Sequence, residues 1–155
     1  MRTASSIAIL VCLFVIATIC CSRQSTGSPG EDEHAVIEKI ADAVAKKIQV
    51  GDVEGVYDIL KDHWVLPTEE LTLLTRQHVQ WHQVISPRFG KVVGVEFLGK
   101  EQIGKSFVRF SYLEKFERHA VLWVLDFYYC EGKWKLNNIM ASDEVSRLFK
   151  FGRGP

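Results

Sequence analysis

The chain is short of cysteine, and its few cysteines are badly placed for a disulfide scaffold. Three of the four (Cys12, Cys20 and Cys21) lie within the first 21 residues, and only Cys130 lies in the body of the sequence. One cysteine makes no internal disulfide, so a stapled secreted scaffold is excluded for the body. Cys130 reads as a small residue at a strand end, with a reactive thiol or an intermolecular bridge as alternatives. An excess of charge of either sign is also missing, because 19 Lys and Arg balance 19 Asp and Glu. This removes any general attraction to nucleic acid or anionic lipid, and no base-reading motif is present. The sequence also lacks a glycine-rich phosphate loop, a nucleophile elbow, a paired-cysteine metal site and an internal repeat. No cofactor and no metal are implied.

One long apolar run is present, Ile7–Cys21, preceded by the positive Arg2. A run this short suits an export signal over residues 1–22 better than a membrane span, which needs about 20 apolar residues. Ordinary cleavage near Cys20, Cys21 and Ser22 is the expectation. The Cys20-Cys21 pair resembles a bacterial lipoprotein processing site, which makes Cys21 a candidate for lipidation. Ile19 and Cys20 stand where such sites carry a small residue, so the match is imperfect. Either way the mature protein is expected to be exported (periplasmic, extracellular or lipid-tethered) and to meet a membrane only through its signal or a lipid. Residues 23–33 have no apolar group that could pack and read as a flexible linker.

The remaining length fits one domain over residues 34–150, followed by a frayed tail at 151–155. Ile37, Ile40, Ala41, Val44 and Ile48 recur at spacings of three and four, which predicts a helix from about His34 to Val50. Gly51 ends it, and Asp52 caps a second helix, Val53 to about Leu60. Thr68 caps a third, with Leu71, Leu74, His78, Trp81 or His82, and Ile85 at helical spacing and Pro87 and Gly90 at its end. Four strands follow, Lys91–Leu98, Ser106–Phe116, His119–Cys130 and Trp134–Ala141, with turns expected at Gly99-Lys100-Glu101 and Glu131-Gly132-Lys133. Alternation puts Val93, Val95, Phe97, Val108, Phe110, Tyr112, Trp123, Leu125, Phe127, Tyr129, Trp134 and Leu136 on one aromatic face. Glu96, Arg109, Ser111, Asp126, Lys135 and Asn137 take the other. A short helix, Asp143 to Phe149, closes the chain. The expected fold is α+β: three helices packed on a curved four-stranded antiparallel sheet.

Three helices and then a long meander resemble the nuclear transport factor two-like superfamily, which includes SnoaL-like and ketosteroid-isomerase-like proteins. The residues carrying this are Gly51-Asp52, the Trp123–Tyr129 strand, and Gly132-Lys-Trp-Lys-Leu136. The resemblance spans about Val36–Phe149 and implies a cone with a pocket at its open end, often dimeric through the sheet. Its members are enzymes, small-molecule binders and protein-binding modules, so fold alone leaves function open.

Five residues are candidates for acid–base chemistry. His78 and His82 lie four apart on one helix face and could form half of a metal site, but no third ligand is evident; two helix histidines beside the core is the preferred reading. His63 lies in a loop beside Asp62 and Trp64 and lacks a partner to fix its tautomer. Asp126 interrupts an apolar strand. Strict alternation aligns it with Arg109 and Glu96 as a cross-strand ion network, preferred over a pocket acid unless a bulge shifts the register. Tyr57 completes the set. Tyr57, Trp64, Trp81, Phe110, Tyr112, Trp123, Phe127 and Trp134 could line an apolar pocket, with core packing as their default. Leu122, Val124 and Ile139, beside Glu96, Arg109 and Asp126, offer a sheet-face contact for a homodimer.

The function expected from these residues is an exported non-catalytic module that binds a small apolar ligand or an envelope protein. The alternative is a small cofactor-free isomerase, dehydratase or hydrolase using His63, His78, His82, Asp126 or Tyr57. It would require at least two of these groups to converge in one pocket.

Overall fold

The computed structural model describes residues 29–144 and 146. The expected signal over 1–22, the lipidation candidate Cys21, most of the linker, most of the closing helix and the tail lie outside the described residues. None of the described helices is long and apolar enough to cross a membrane.

Helix α1 spans Glu31–Gln49. It starts three residues before the expected His34 because Glu31, Asp32 and Glu33 favour the positive end of the helix dipole. Glu33 also accepts a hydrogen bond from the Gly30 backbone N–H at 2.9 Å. Residues 31–33, expected in the linker, are therefore helical. Ile37, Ala41, Val44 and Ile48 form its buried stripe. Gly51, at φ 69°, turns the chain in the left-handed region where a side chain is disfavoured. Asp52 then caps α2 (Val53–Leu60) by accepting from Gly55 N–H at 2.9 Å. A 3-10 turn, Lys61–His63, leads to Trp64, which bridges to Leu136 in the last strand. Helix α3 runs Thr68–Phe89 and carries Pro87 inside its last turn. Pro67, not Thr68, holds the cap position, and the Thr72 hydroxyl bonds back to the Thr68 carbonyl at 2.9 Å.

The strands are β1 (Val92–Ile103), β2 (Phe107–Phe116), β3 (Ala120–Cys130) and β4 (Lys133–Ser142), paired antiparallel in the order β1-β2-β3-β4. The expected turn at Gly99-Lys100-Glu101 is instead strand. An irregularity at Leu98 brings Gly99 opposite Ser111, and the chain reverses beyond Ile103 at Gly104, which has φ 59°. Glu131 and Gly132, at φ 54° and 74°, form the two-residue β3–β4 turn with the left-handed geometry that a tight hairpin requires.

One sheet face carries Val108, Phe110, Tyr112, Glu114 and Phe116 of β2, opposite Phe127, Leu125, Trp123 and Val121 of β3. These pack against the buried residues of the helices in one continuous core. Two irregularities change which residues reach it. The register shifts between Asp126 and Phe127, so that Asp126 faces Asn138 while Phe127 faces Leu136. The extra residue, Asn137, turns Ile139 inward opposite Leu125, where it is buried; it is not a sheet-face contact for a partner. In β1 a shift at Val93 leaves Val92 paired with Phe116 and Val93 exposed, opposite to strict alternation. Bulges of this kind bend a strand and increase its twist, which curves the sheet over α1.

Candidate functional site

Two polar constellations come out of this packing. The first is inside the core. Alternation along β2 sends Glu114 inward between Tyr112 and Phe116, where it has no accessible surface. Its carboxylate accepts from the Trp123 indole N–H at 2.8 Å and contacts Nε2 of His82 at 3.1 Å. His82 Nδ1 lies 3.2 Å from the Ser86 hydroxyl oxygen, and that hydroxyl also reaches the His82 carbonyl at 2.7 Å. A buried carboxylate needs such partners, because leaving it unpaired costs far more than any one bond returns. One turn earlier, His78 Nδ1 meets the Tyr57 hydroxyl, and its ring stands edge-on to Trp123 at 6.0 Å. Burial lowers the pKa of His78 and raises that of Tyr57, so both are held neutral around pH 7. The two histidines, for which a metal half-site was the less favoured alternative, thus face different partners, His78 toward α2 and His82 toward β2. Among the described residues no group of three metal-ligating side chains converges.

The second constellation is a cleft of about 420 Å³ where the 3-10 turn and the start of α1 meet the β3–β4 hairpin. Val36, Ile40, Trp64 and Trp134 give it an apolar wall, and Glu33, Asp62, His63, Tyr129, Lys133 and Lys135 give it a polar one. The hairpin turn at Glu131-Gly132 places Tyr129 and Trp134 as cross-strand partners, with ring centroids 5.2 Å apart. The Tyr129 hydroxyl donates to Glu33 Oε1 at 2.7 Å, which ties the hairpin to α1 and raises the tyrosine pKa. Lys135 is drawn back to Glu131 at 3.0 Å. Among the described residues, the indole N–H groups of Trp64 and Trp134 are buried with no hydrogen-bond partner. His34, whose ring lies 5.2 Å from Trp134, has a similarly unpartnered Nδ1. Buried donors are nearly always satisfied, and each orphan costs about 1–3 kcal/mol.

Of the expected pocket residues, Trp64 and Trp134 line this cleft. Phe110, Tyr112, Trp123 and Phe127 are instead buried in the core, and Trp81 packs against it. They fill the cone because helices α1 and α3 lie directly on them. Tyr57 has its ring in the core and one edge on a groove between α2 and α3. His63 lines the cleft with Asp62, while His78, His82, Asp126 and Tyr57 do not.

On the opposite sheet face, Arg109 donates from Nε and Nη2 to both oxygens of Asp126, at 2.7 and 2.9 Å, and Asn138 adds a contact at 3.2 Å. The forked contact with Asp126 raises the Arg109 pKa. Glu96 does not join them. The shift at Leu98 puts Glu101 across from Arg109, and Glu96 pairs with Lys115 at 3.1 Å. Leu122 and Val124 are buried on this face. Cys130 is free and half-buried, paired in register with Lys133.

Sequence reasoning misses Glu114, although it lies in phase with Val108, Phe110 and Tyr112; that phase is the signal that could have found it. It also misses Glu33 as a partner of Tyr129, a pairing across 96 positions that no local pattern reveals.

No protein-family model matches the chain, and no curated protein matches it. Among solved structures it is similar to one described as an NTF2-like transpeptidase from Campylobacter jejuni, at 18% identity and a TM-score of 0.43, covering 64% of this chain and 95% of that one. The chain's own geometry is α+β, three helices laid on one face of a curved antiparallel four-strand meander, as its sequence leads one to expect.

Proposed function

We propose that the protein is an exported, non-catalytic binding module that holds a small ligand in the cleft between α1, the 3-10 turn and the β3–β4 hairpin. The observation that carries this reading is a cleft of about 420 Å³ with an apolar wall of Val36, Ile40, Trp64 and Trp134 facing a polar one. A ligand with an apolar face and polar groups would cover the apolar wall and pair with the charged side chains of Glu33, Asp62 and Lys133 on the other. A specific observation also favours a second reading, a cofactor-free acid–base enzyme. His82 is clamped by Glu114, a pairing that can orient an imidazole for proton transfer. Binding is preferred because Tyr57, His78, His82 and Glu114 all lie outside the cleft lining.

Native mass spectrometry of the protein taken from its own host tests the proposal. The expected spectrum contains a non-covalent small-molecule adduct that weakens in Trp134→Phe. A bare protein under the gentlest conditions, or an adduct indifferent to Trp134, would overturn it.

A further inference from the structure

We infer that the outer face of the sheet is the seat of the chain's own closing segment, residues 145–151, which covers an apolar strip formed by Leu122 and Val124. This is the face away from the helices, to which alternation along β3 sends Leu122, Val124, Asp126 and Tyr128. Leu122 and Val124 are each 1% exposed, yet neither belongs to the core that α1, α2 and α3 close on the other face. Their cross-strand neighbours are Leu113 and Ser111 on β2, and Ser142 and Met140 on β4. Neighbouring strands do not hide an aliphatic side chain that stands up from an open sheet; a layer has to lie over it. Among the described residues no helix supplies that layer.

The exposure along β3 points to where the cover comes from. It is 1% at Leu122 and Val124, 4% at Asp126 and 40% at Tyr128. The cover is therefore local, and it is deepest where Leu122 faces Ser142, the last residue of β4. There the Ser142 hydroxyl accepts from the Glu144 N–H at 3.2 Å and turns the chain out of the strand. Val145-Ser-Arg-Leu-Phe-Lys-Phe151 follows, with Val145, Leu148 and Phe149 at helical spacing. Seven residues span about 10 Å even as a helix, or two strand spacings, enough to pass from β4 over Leu122 to Leu113. The amino-terminal segment is badly placed for this role. It enters α1 at the hairpin end, where Glu33 holds Tyr129, about 23 Å along β3 from Leu122 and beside the exposed Tyr128. A second copy is not required either, because the burial arises within one chain. Seated there, the closing segment shuts this face to self-association and leaves the cleft at the hairpin end open.

The test places the photocrosslinker p-benzoylphenylalanine at Leu148 or at Phe149 of the full chain, one site per protein, and maps the products by mass spectrometry. The expected product has the mass of one chain and joins the segment to the peptides carrying Leu113, Leu122, Val124 or Met140. A product of twice that mass through the same face would make a second copy the occupant and overturn the inference. Crosslinks from both sites to the helices, or from neither site to any part of the sheet, would overturn it as well. A companion variant, Leu148→Asp with Phe149→Asp, should raise the fluorescence of a dye that reports exposed apolar surface several-fold. Near-UV circular dichroism of that variant should keep the parent signal of the core aromatics. An unchanged dye signal would show that these residues do not cover the strip.

Discussion

Glu114 and Trp123 are joined inside the core by a hydrogen bond of 2.8 Å, donated by the indole to a carboxylate with no accessible surface. The same carboxylate contacts His82, so one acidic side chain fastens α3 to two strands of the sheet. Removing it leaves two buried donors unpaired. Glu114→Ala is expected to destabilise the protein by about 3–5 kcal/mol, and Glu114→Gln, which retains the shape and an acceptor, by roughly half as much. Urea denaturation measures both. Equal, small losses would show that the carboxylate does not hold α3.

His78 makes stability depend on pH. Burial lowers its pKa below the ordinary 6.5, so the unfolded chain takes up a proton before the folded one does. Stability is therefore complete above 6.5, falls as pH drops from there toward the lowered value, and levels off once the folded histidine is also protonated. The contribution is isolated by subtracting the denaturation profile of His78→Gln from that of the parent. A difference that grows as pH rises above 6.5 would have the wrong sign.

Arg109 and Asp126 form a forked ion pair in which the carboxylate side chain is only 5% exposed. Asp126→Asn should cost about 1–3 kcal/mol, because a charge-assisted pair with little solvent screening is replaced by weaker bonds. Glu96 pairs with Lys115 at side chains 54% and 43% exposed, so Glu96→Gln should change stability by no more than about 0.5 kcal/mol. Thermal unfolding of the two variants side by side makes the comparison. Similar losses would restore a network linking all three residues.

Ile139 reports the β4 bulge. Facing inward and 5% exposed, it should cost about 2–4 kcal/mol on truncation to alanine at any protein concentration. A sheet-face contact between two copies would instead give a loss that varies with concentration.

Much of the fold was legible because its signals are local. The Ile37–Ile48 stripe, the Asp52 cap, the Glu131-Gly132 turn and the alternation of β2 and β3 each predict their element from neighbouring residues. The errors fall where one residue changes the phase. Asn137 looks ordinary in sequence, yet the irregularity there moves the rest of β4 to the other face, which misplaced Ile139; Glu96 was misplaced by register, since it pairs with Leu113, four residues along β2 from Arg109. The candidate site was only half visible. Trp64 and Trp134 were expected at a pocket, but its location depends on the Trp64–Leu136 bridge and the Glu33–Tyr129 bond, both made between distant segments. The large aromatics of β2 and β3 could line a cavity or fill one, and composition does not distinguish the two.

Central to the proposed function is that the cleft beside Trp64 and Trp134 holds a small ligand. A high-resolution crystal structure of the protein purified from its host tests this most directly. The expected result is an ordered small molecule in the cleft, in contact with the apolar wall of Val36, Ile40, Trp64 and Trp134. A cleft holding only water would contradict it.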